Sequence, residues 1–205
     1  MQIAVLTFDG FNELDSFIAA GILNRMRSKG WKAFVTAPTA TVTSMNGVTV
    51  QAERDLEFAN QADAVIIGSG AKTREVIQDA ALFGRLRLDP SRQLIGAQCS
   101  GTLLLSKLGL LGDRPACTDL TTKPWVIEAG VRVLDQPFYA EGNIATAGGC
   151  LASQYLAAWM LLRAASREDA EAAIHYVAPV GQKAEYVARA MEAVAPYLPR
   201  AVAAA

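Results

Sequence analysis

The chain contains one histidine, His175, in 205 residues. That excludes a multi-histidine metal centre and leaves no spare imidazole for a triad of the Ser-His-Asp kind. Cysteine is almost as scarce. Cys99, Cys117 and Cys150 do not make a disulfide framework, and a reducing cytoplasm is the simplest setting for them. Charge is low at 19% of residues, with a formal net charge of -1 and no lysine or arginine run, so nucleic acid is not an expected partner. No apolar stretch approaches the roughly 20 residues of a membrane span. The opening Met1-Gln2-Ile3-Ala4-Val5-Leu6 has no basic lead and runs straight into a strand pattern, so no signal peptide is expected. Glycine-rich phosphate cradles of the Walker or dinucleotide type are missing, and neither a cofactor nor a metal is expected. No repeat, linker or composition break divides residues 1–205, which read as one domain.

What is present is apolar, at 52% of residues, and punctuated. Strand patterns cover Gln2 to Phe8, Lys32 to Ala37, Ala64 to Ile67 and Gln93 to Ala97. Short strand-like pieces follow near Ala116, Val131 to Leu134, Phe138 to Ala140 and Ile144 to Thr146. Asn46-Gly47 between two short runs predicts a hairpin. Helical spacing covers Leu14 to Met26, stopped by Gly30, and shorter pieces at Thr73 to Gln78, Ala81 to Leu88 and Ser100 to Lys107. Further helices are expected over Cys150 to Ala164, Glu168 to Tyr176 and Lys183 to Ala205. Alternation of this kind predicts an α/β fold of flavodoxin-like, doubly wound type, with a mostly parallel sheet and helices on both faces. In such sheets, reactive groups gather beyond the carboxyl ends of the strands. The loop with Glu13 and Asp15, the turn Gly68-Ser69-Gly70 and the segment at Cys99 should therefore converge.

Cys99 is the most informative residue. It ends the run Gln93-Leu-Ile-Gly-Ala-Gln98 and precedes Ser100-Gly101 and a new apolar helix, the pattern of a nucleophile elbow. A helix N-terminus favours the thiolate, so the thiol is expected to lose its proton easily. The alternative is a buried core cysteine, which is how Cys117 and Cys150 are read. Asp15 is the candidate acid and base. Partial burial and a neighbouring thiolate would hold it protonated, ready to donate to substrate; the alternative is a helix N-cap. Glu13 is the rival carboxylate, expected at the surface. The N–H groups of Gly70 and Ser100 are candidate oxyanion donors, against a plain tight turn at Gly68-Ser69-Gly70. The Ser100 hydroxyl either orients substrate or water, or merely begins a helix. His175, in a helical stretch away from these segments, reads as structural.

The ordered set of Glu13-Leu14-Asp15, Val65-Ile66-Ile67-Gly68-Ser69-Gly70, Gly96-Ala97-Gln98-Cys99-Ser100-Gly101 and Gly142-Asn143-Ile144-Ala145-Thr146-Ala147-Gly148-Gly149 resembles the DJ-1/PfpI superfamily. Within it the chain looks most similar to the isonitrile hydratase branch, where an aspartate partners the cysteine and a hydroxyl residue follows it, as Asp15 and Ser100 do here. The branch pattern is broken at Asp15-Ser-Phe-Ile18, which lacks a Gly-Pro pair, at Thr118-Asp119-Leu120, which lacks His-Trp, and at Tyr155, which replaces an acid.

The resemblance implies a homodimer and a small-molecule substrate, with Asp119 and Thr146 edging the pocket. It implies cofactor-independent hydration of an isonitrile to an N-substituted formamide. Aldehyde chemistry of the glyoxalase or deglycase type, and a non-catalytic cysteine oxidation sensor, are the rival expectations. A cysteine peptidase is disfavoured, because Ser100 occupies the position where protease-like members carry histidine.

Overall fold

The computed structural model describes residues 1–199. Nine strands run in chain order as β1 (Gln2–Leu6), β2 (Lys32–Ala37), β3 (Thr41–Thr43), β4 (Thr49–Gln51), β5 (Arg54–Asp55), β6 (Ala64–Ile67), β7 (Leu94–Gln98), β8 (Phe138–Glu141) and β9 (Ile144–Ala147). The helices are α1 (Glu13–Leu23), α2 (Thr73–Val76), α3 (Ala80–Phe83), α4 (Gly101–Lys107), α5 (Lys123–Glu128), α6 (Ser153–Ala164), α7 (Arg167–Val177) and α8 (Lys183–Val194). Seven strands form one sheet in the order β5-β2-β1-β6-β7-β9-β8. Every pairing in it is parallel except the edge pair β8–β9. This is the doubly wound, mostly parallel α/β architecture.

The apolar runs follow from burial on both faces of the sheet. Ile3, Val5, Ala64 and Ile66 point into a core shared with α1, α6, α7 and α8. Their neighbours Ala4, Leu6, Val65 and Ile67 point the opposite way, into a second core shared with α4 and with Leu82 of α3 and Val126 of α5. Alternation of side-chain direction along a strand divides one apolar run between two cores. Helix α6 is apolar on nearly its whole surface because nine of its twelve residues are buried, including Trp159. Gly96 on β7 permits this approach: a Cβ there would meet Leu156 Cδ2 at 3.1 Å.

The Asn46-Gly47 hairpin forms as a separate two-stranded sheet, with Val42 opposite Val50. Several elements are shorter than their sequence patterns. Helix α1 ends at Leu23 and continues as a 3₁₀ segment, Asn24–Lys29. There the Asn24 side chain both donates to Ala33 O and accepts from Ala33 N–H, tying the helix end to β2. The pieces expected at Ala116 and Val131 to Leu134 reduce to a single bridge, Ala116 to Val133. Cys150–Ala152 is a 3₁₀ turn ahead of α6. Of the helix expected over Lys183 to Ala205, α8 covers 183–194, and residues 200–205 lie outside the described region. No helix among the described residues is long and apolar enough to cross a membrane.

Four neighbouring parallel strands, β1, β6, β7 and β9, end at the same edge of the sheet. The segments leaving them start α1, the Ser69-Gly70 turn, the Cys99 elbow and the Cys150 turn. That order places the site.

Candidate active site

Cys99 sits between β7 and α4 at φ 48°, the only non-glycine residue at positive φ among the described residues. A left-handed backbone costs a residue with a Cβ about 1 kcal/mol or more and persists where surrounding contacts enforce it. Those contacts are visible. Cys99 N–H donates to Ala147 O at 2.8 Å, and its carbonyl accepts from Thr118 Oγ1 at 2.8 Å. Behind it, Gly101 packs against β6 so closely that a Cβ would fall 2.4 Å from Ile67 O. The elbow expected from the sequence is therefore present in its strained form.

Asp15 lies in the first turn of α1 and is completely buried. It is not the N-cap; Asn12 is, with Oδ1 accepting from Leu14 N–H at 3.1 Å. One Asp15 oxygen, Oδ2, accepts a short hydrogen bond from Ser69 Oγ. The other, Oδ1, has no hydrogen-bond partner. The carboxylate, the Cys99 sulfur and the Cys150 sulfur all lie within 4.8 Å of one another. Glu13 is turned elsewhere, accepting from Ser44 Oγ at 2.5 Å and Asn46 Nδ2 at 2.8 Å. The Ser44 hydrogen bond holds its carboxyl below the usual carboxylate range.

The expectation of an easily ionised Cys99 is corrected. Burial and then the Asp15 carboxylate push this thiol well above its ordinary value, and Asp119 adds in the same direction. Helix α4 has only seven residues, and its end cannot outweigh the loss of water and a neighbouring negative charge. Within 4.8 Å of the sulfur, the Asp15 carboxylate is placed where it can accept the Cys99 proton. Gln98 Nε2 donates to the sulfur at 3.4 Å and favours the anion once it forms.

Ser100 and Gly70 are brought together, in a different arrangement from the one expected. Gly70 N–H donates to Ser100 Oγ at 3.2 Å and is already occupied. Thr73 Oγ1 donates to Gly70 O at 2.8 Å, so the Ser100 hydroxyl at 2.7 Å must give its proton to Thr73. The hydroxyl is thereby a fixture of the loop, with no proton left for substrate. The Ser100 backbone N–H, with no acceptor among the described residues, is the remaining candidate oxyanion donor. Asp119 faces the cleft, held by Thr121 N–H, Thr122 N–H and the Thr122 hydroxyl. Thr146 does not line it; its hydroxyl accepts from Cys117 N–H at 2.8 Å inside the core. Ile18 and Tyr155 also lie away from the cleft, Ile18 on a surface groove and Tyr155 in the core. Exposed His175 lines a trough between α7 and α8 and meets no cysteine.

Cys150 is the residue that sequence reasoning misses. Its apolar surroundings in the chain point to the core, and the structure places it half-buried in the cleft, its sulfur accepting from Asn12 Nδ2 at 3.4 Å. A signal was available: Cys150 follows Gly148-Gly149 directly after β9, the same strand-end position that singles out Cys99. The cleft encloses about 390 Å³, with Asp15, Cys99, Ser100 and Cys150 in its wall and Met45 and Trp125 supplying apolar surface. That is room for a small molecule.

This constellation is that of a cysteine elbow paired with a buried carboxylate on a doubly wound sheet. The DJ-1/PfpI family profile matches residues 1–165, and the chain belongs to that family. Solved structures agree on the fold. A DJ-1 from Schizosaccharomyces pombe is 20% identical, with a TM-score of 0.74 over 87% of this chain and 100% of that one. A ThiJ/PfpI family protein from Pseudomonas syringae is 20% identical, with a TM-score of 0.74 over 96% and 86%. A mutant of a DJ-1 superfamily protein from Salmonella typhimurium is 20% identical, with a TM-score of 0.67 over 97% and 99%. No curated protein matches the chain in sequence.

Proposed function

We propose that the protein is a cofactor-independent cysteine enzyme that adds water to a small electrophile, an isonitrile in the reading favoured here. The observation that carries it is a strained cysteine facing a buried carboxylate that has a free oxygen. The Cys99 proton moves to Asp15, and the thiolate attacks the terminal isonitrile carbon. Asp15 returns the proton to that carbon, giving a thioimidate. Asp15 then takes a proton from water as it attacks the same carbon, and gives it to the nitrogen. Expulsion of the thiolate, with the adduct's hydroxyl proton passing to the sulfur, leaves an N-substituted formamide and restores the thiol–carboxylate pair. The net change is one isonitrile plus one water to one formamide. The Ser100 N–H, which has no acceptor among the described residues, is the candidate donor to the negative charge that develops during these steps.

A raised thiol pKa does not oppose this sequence, because the proton that the thiol gives up is the one the substrate needs. The same reading carries a homodimer; the exposed apolar Leu151, Val177 and Val180, beside a groove lined by Phe17 and Ile18, support it. The test is incubation of reduced protein with a small aliphatic isonitrile, following formamide by proton NMR, with methylglyoxal in parallel. Turnover of the isonitrile that disappears in Cys99→Ala supports the proposal. Turnover that survives in that variant, or conversion of methylglyoxal alone, overturns it.

A further inference from the structure

Cys99, Asp15 and Cys150 form a three-donor cluster that the thiol chemistry above does not fully use. Only one sulfur is needed for nucleophilic attack, yet two flank the carboxylate, and all three donor atoms lie within 4.8 Å of one another. Each donor also carries one hydrogen bond from a second residue. Gln98 Nε2 donates to the Cys99 sulfur, Asn12 Nδ2 to the Cys150 sulfur, and Ser69 Oγ to Asp15 Oδ2. Outer partners of this kind orient ligands and relieve their negative charge in metal sites. Independently, Asp15 Oδ1 is buried without a partner, which is costly for a carboxylate oxygen and is relieved by a cation.

We propose that Asp15, Cys99 and Cys150 bind a thiophilic divalent cation, zinc, with the fourth tetrahedral position open to the cleft. Zinc takes sulfur at about 2.3 Å and carboxylate oxygen at about 2.0–2.2 Å, which sets donor atoms roughly 3.5–3.8 Å apart. The cluster reaches that spacing by side-chain shifts of roughly 1 Å. Two sulfur donors reject magnesium and calcium, which demand oxygen. Half-buried Cys150 lies on the solvent side and offers the way in. The two thiol protons leave to solvent as the ion binds. Zinc engages the Cys99 sulfur and the Asp15 carboxylate together, so the metal-bound and nucleophilic states of the site exclude each other. The binding itself does not depend on the isonitrile reading.

The test is titration of the reduced, chelator-treated full chain with zinc against a chromophoric chelator, with cobalt as a spectroscopic substitute. The expected result is one equivalent bound and a near-ultraviolet thiolate-to-cobalt charge-transfer band. Cys150→Ser should weaken binding by more than about a hundredfold, beyond the 10–100-fold typical of outer-partner losses. Cys117→Ser, altered in the core, should bind as the wild type does. In the unaltered protein, zinc should also protect Cys99 and Cys150 from alkylation, read by mass spectrometry, so the proposal stays testable if a variant misfolds. Failure to bind a stoichiometric ion, affinity unchanged in a folded Cys150→Ser, or unprotected thiols at saturating zinc would each overturn it. None of these readouts involves isonitrile turnover.

Discussion

Asp15 accepts a hydrogen bond from Ser69 through Oδ2 and leaves Oδ1 without a partner, in a carboxylate that lies within 4.8 Å of the Cys99 sulfur. Ser69 belongs to the turn after β6, Asp15 to the start of α1 and Cys99 to the elbow after β7. Adjacent parallel strands bring the three together. The result is a completely buried carboxylate beside a buried thiol, the pair on which the proposed chemistry rests.

Asp15→Asn separates the two effects of the carboxylate. Turnover of an isonitrile should fall about 10²–10⁴-fold, as for loss of a general acid–base group. Alkylation of Cys99 near pH 8 should become faster, because the negative charge that raises its pKa is gone. Timed iodoacetamide labelling with mass spectrometry measures the second effect. Slower labelling in a folded variant would contradict the assigned geometry.

Ser100→Ala tests whether the hydroxyl is scaffold or chemistry. Its loss strands Gly70 N–H and removes the donor to the Thr73 hydroxyl, which keeps its own bond to Gly70 O, and should lower the unfolding free energy by about 1–2 kcal/mol. Cys99 alkylation should stay within about twofold of wild type, because no hydrogen bond joins this hydroxyl to the sulfur. Urea unfolding and the labelling assay give both numbers.

Two glycines should respond oppositely to alanine. At Gly101 the added Cβ lies 2.4 Å from Ile67 O, a backbone atom that cannot move aside. Gly101→Ala should destabilise by about 3 kcal/mol and disturb the elbow. Gly21 is exposed in α1 with nothing within 4 Å of its added Cβ, and Gly21→Ala should stabilise by about 0.5–1 kcal/mol. Denaturant midpoints at constant slope decide both.

Alkaline pH should erode stability through the buried thiols. Burial pushes Cys117 from an ordinary 9.0 up to about 12. Below pH 9 the folded and unfolded states both hold its proton, so the contribution is fully present. Above pH 9 the unfolded chain loses the proton first, and the contribution is lost progressively up to about pH 12. The slope is about 1.4 kcal/mol per pH unit for each such thiol. Wild type and Cys117→Ala, compared by urea unfolding from pH 8 to 10.5, should diverge in slope, with the variant flatter above pH 9.

Much of this was legible in the chain before folding. Gly96-Ala97-Gln98-Cys99-Ser100-Gly101 announces the elbow because a strand pattern, a turn and a helix pattern meet at one thiol. Asn46-Gly47 announces its hairpin through backbone conformations that few residues tolerate. Cys150 carried a strand-end signal after Gly148-Gly149, but its meeting with Cys99 was hidden, because that depends on β9 lying beside β7. The assignment of the Ser100 proton was equally hidden, since Thr73 is distant in sequence and meets it only across the α4 start. That Ile18 and Tyr155 lie away from the cleft wall was hidden too, because helical periodicity does not say which face turns to the cleft.

Alone, the sequence determined the local grammar: which segments alternate as strands and helices, which thiol sits on a turn, and that a lone His175 leaves no second imidazole in the chain. These follow from periodicity, turn chemistry and composition, all of them local. The tertiary structure decided how the groups act on one another. Sheet order set Cys150 beside Cys99 and Asp15, and burial reversed the expected ease of ionising Cys99. A side chain's proton affinity depends on the water and charges around it, and those are fixed only when distant segments pack.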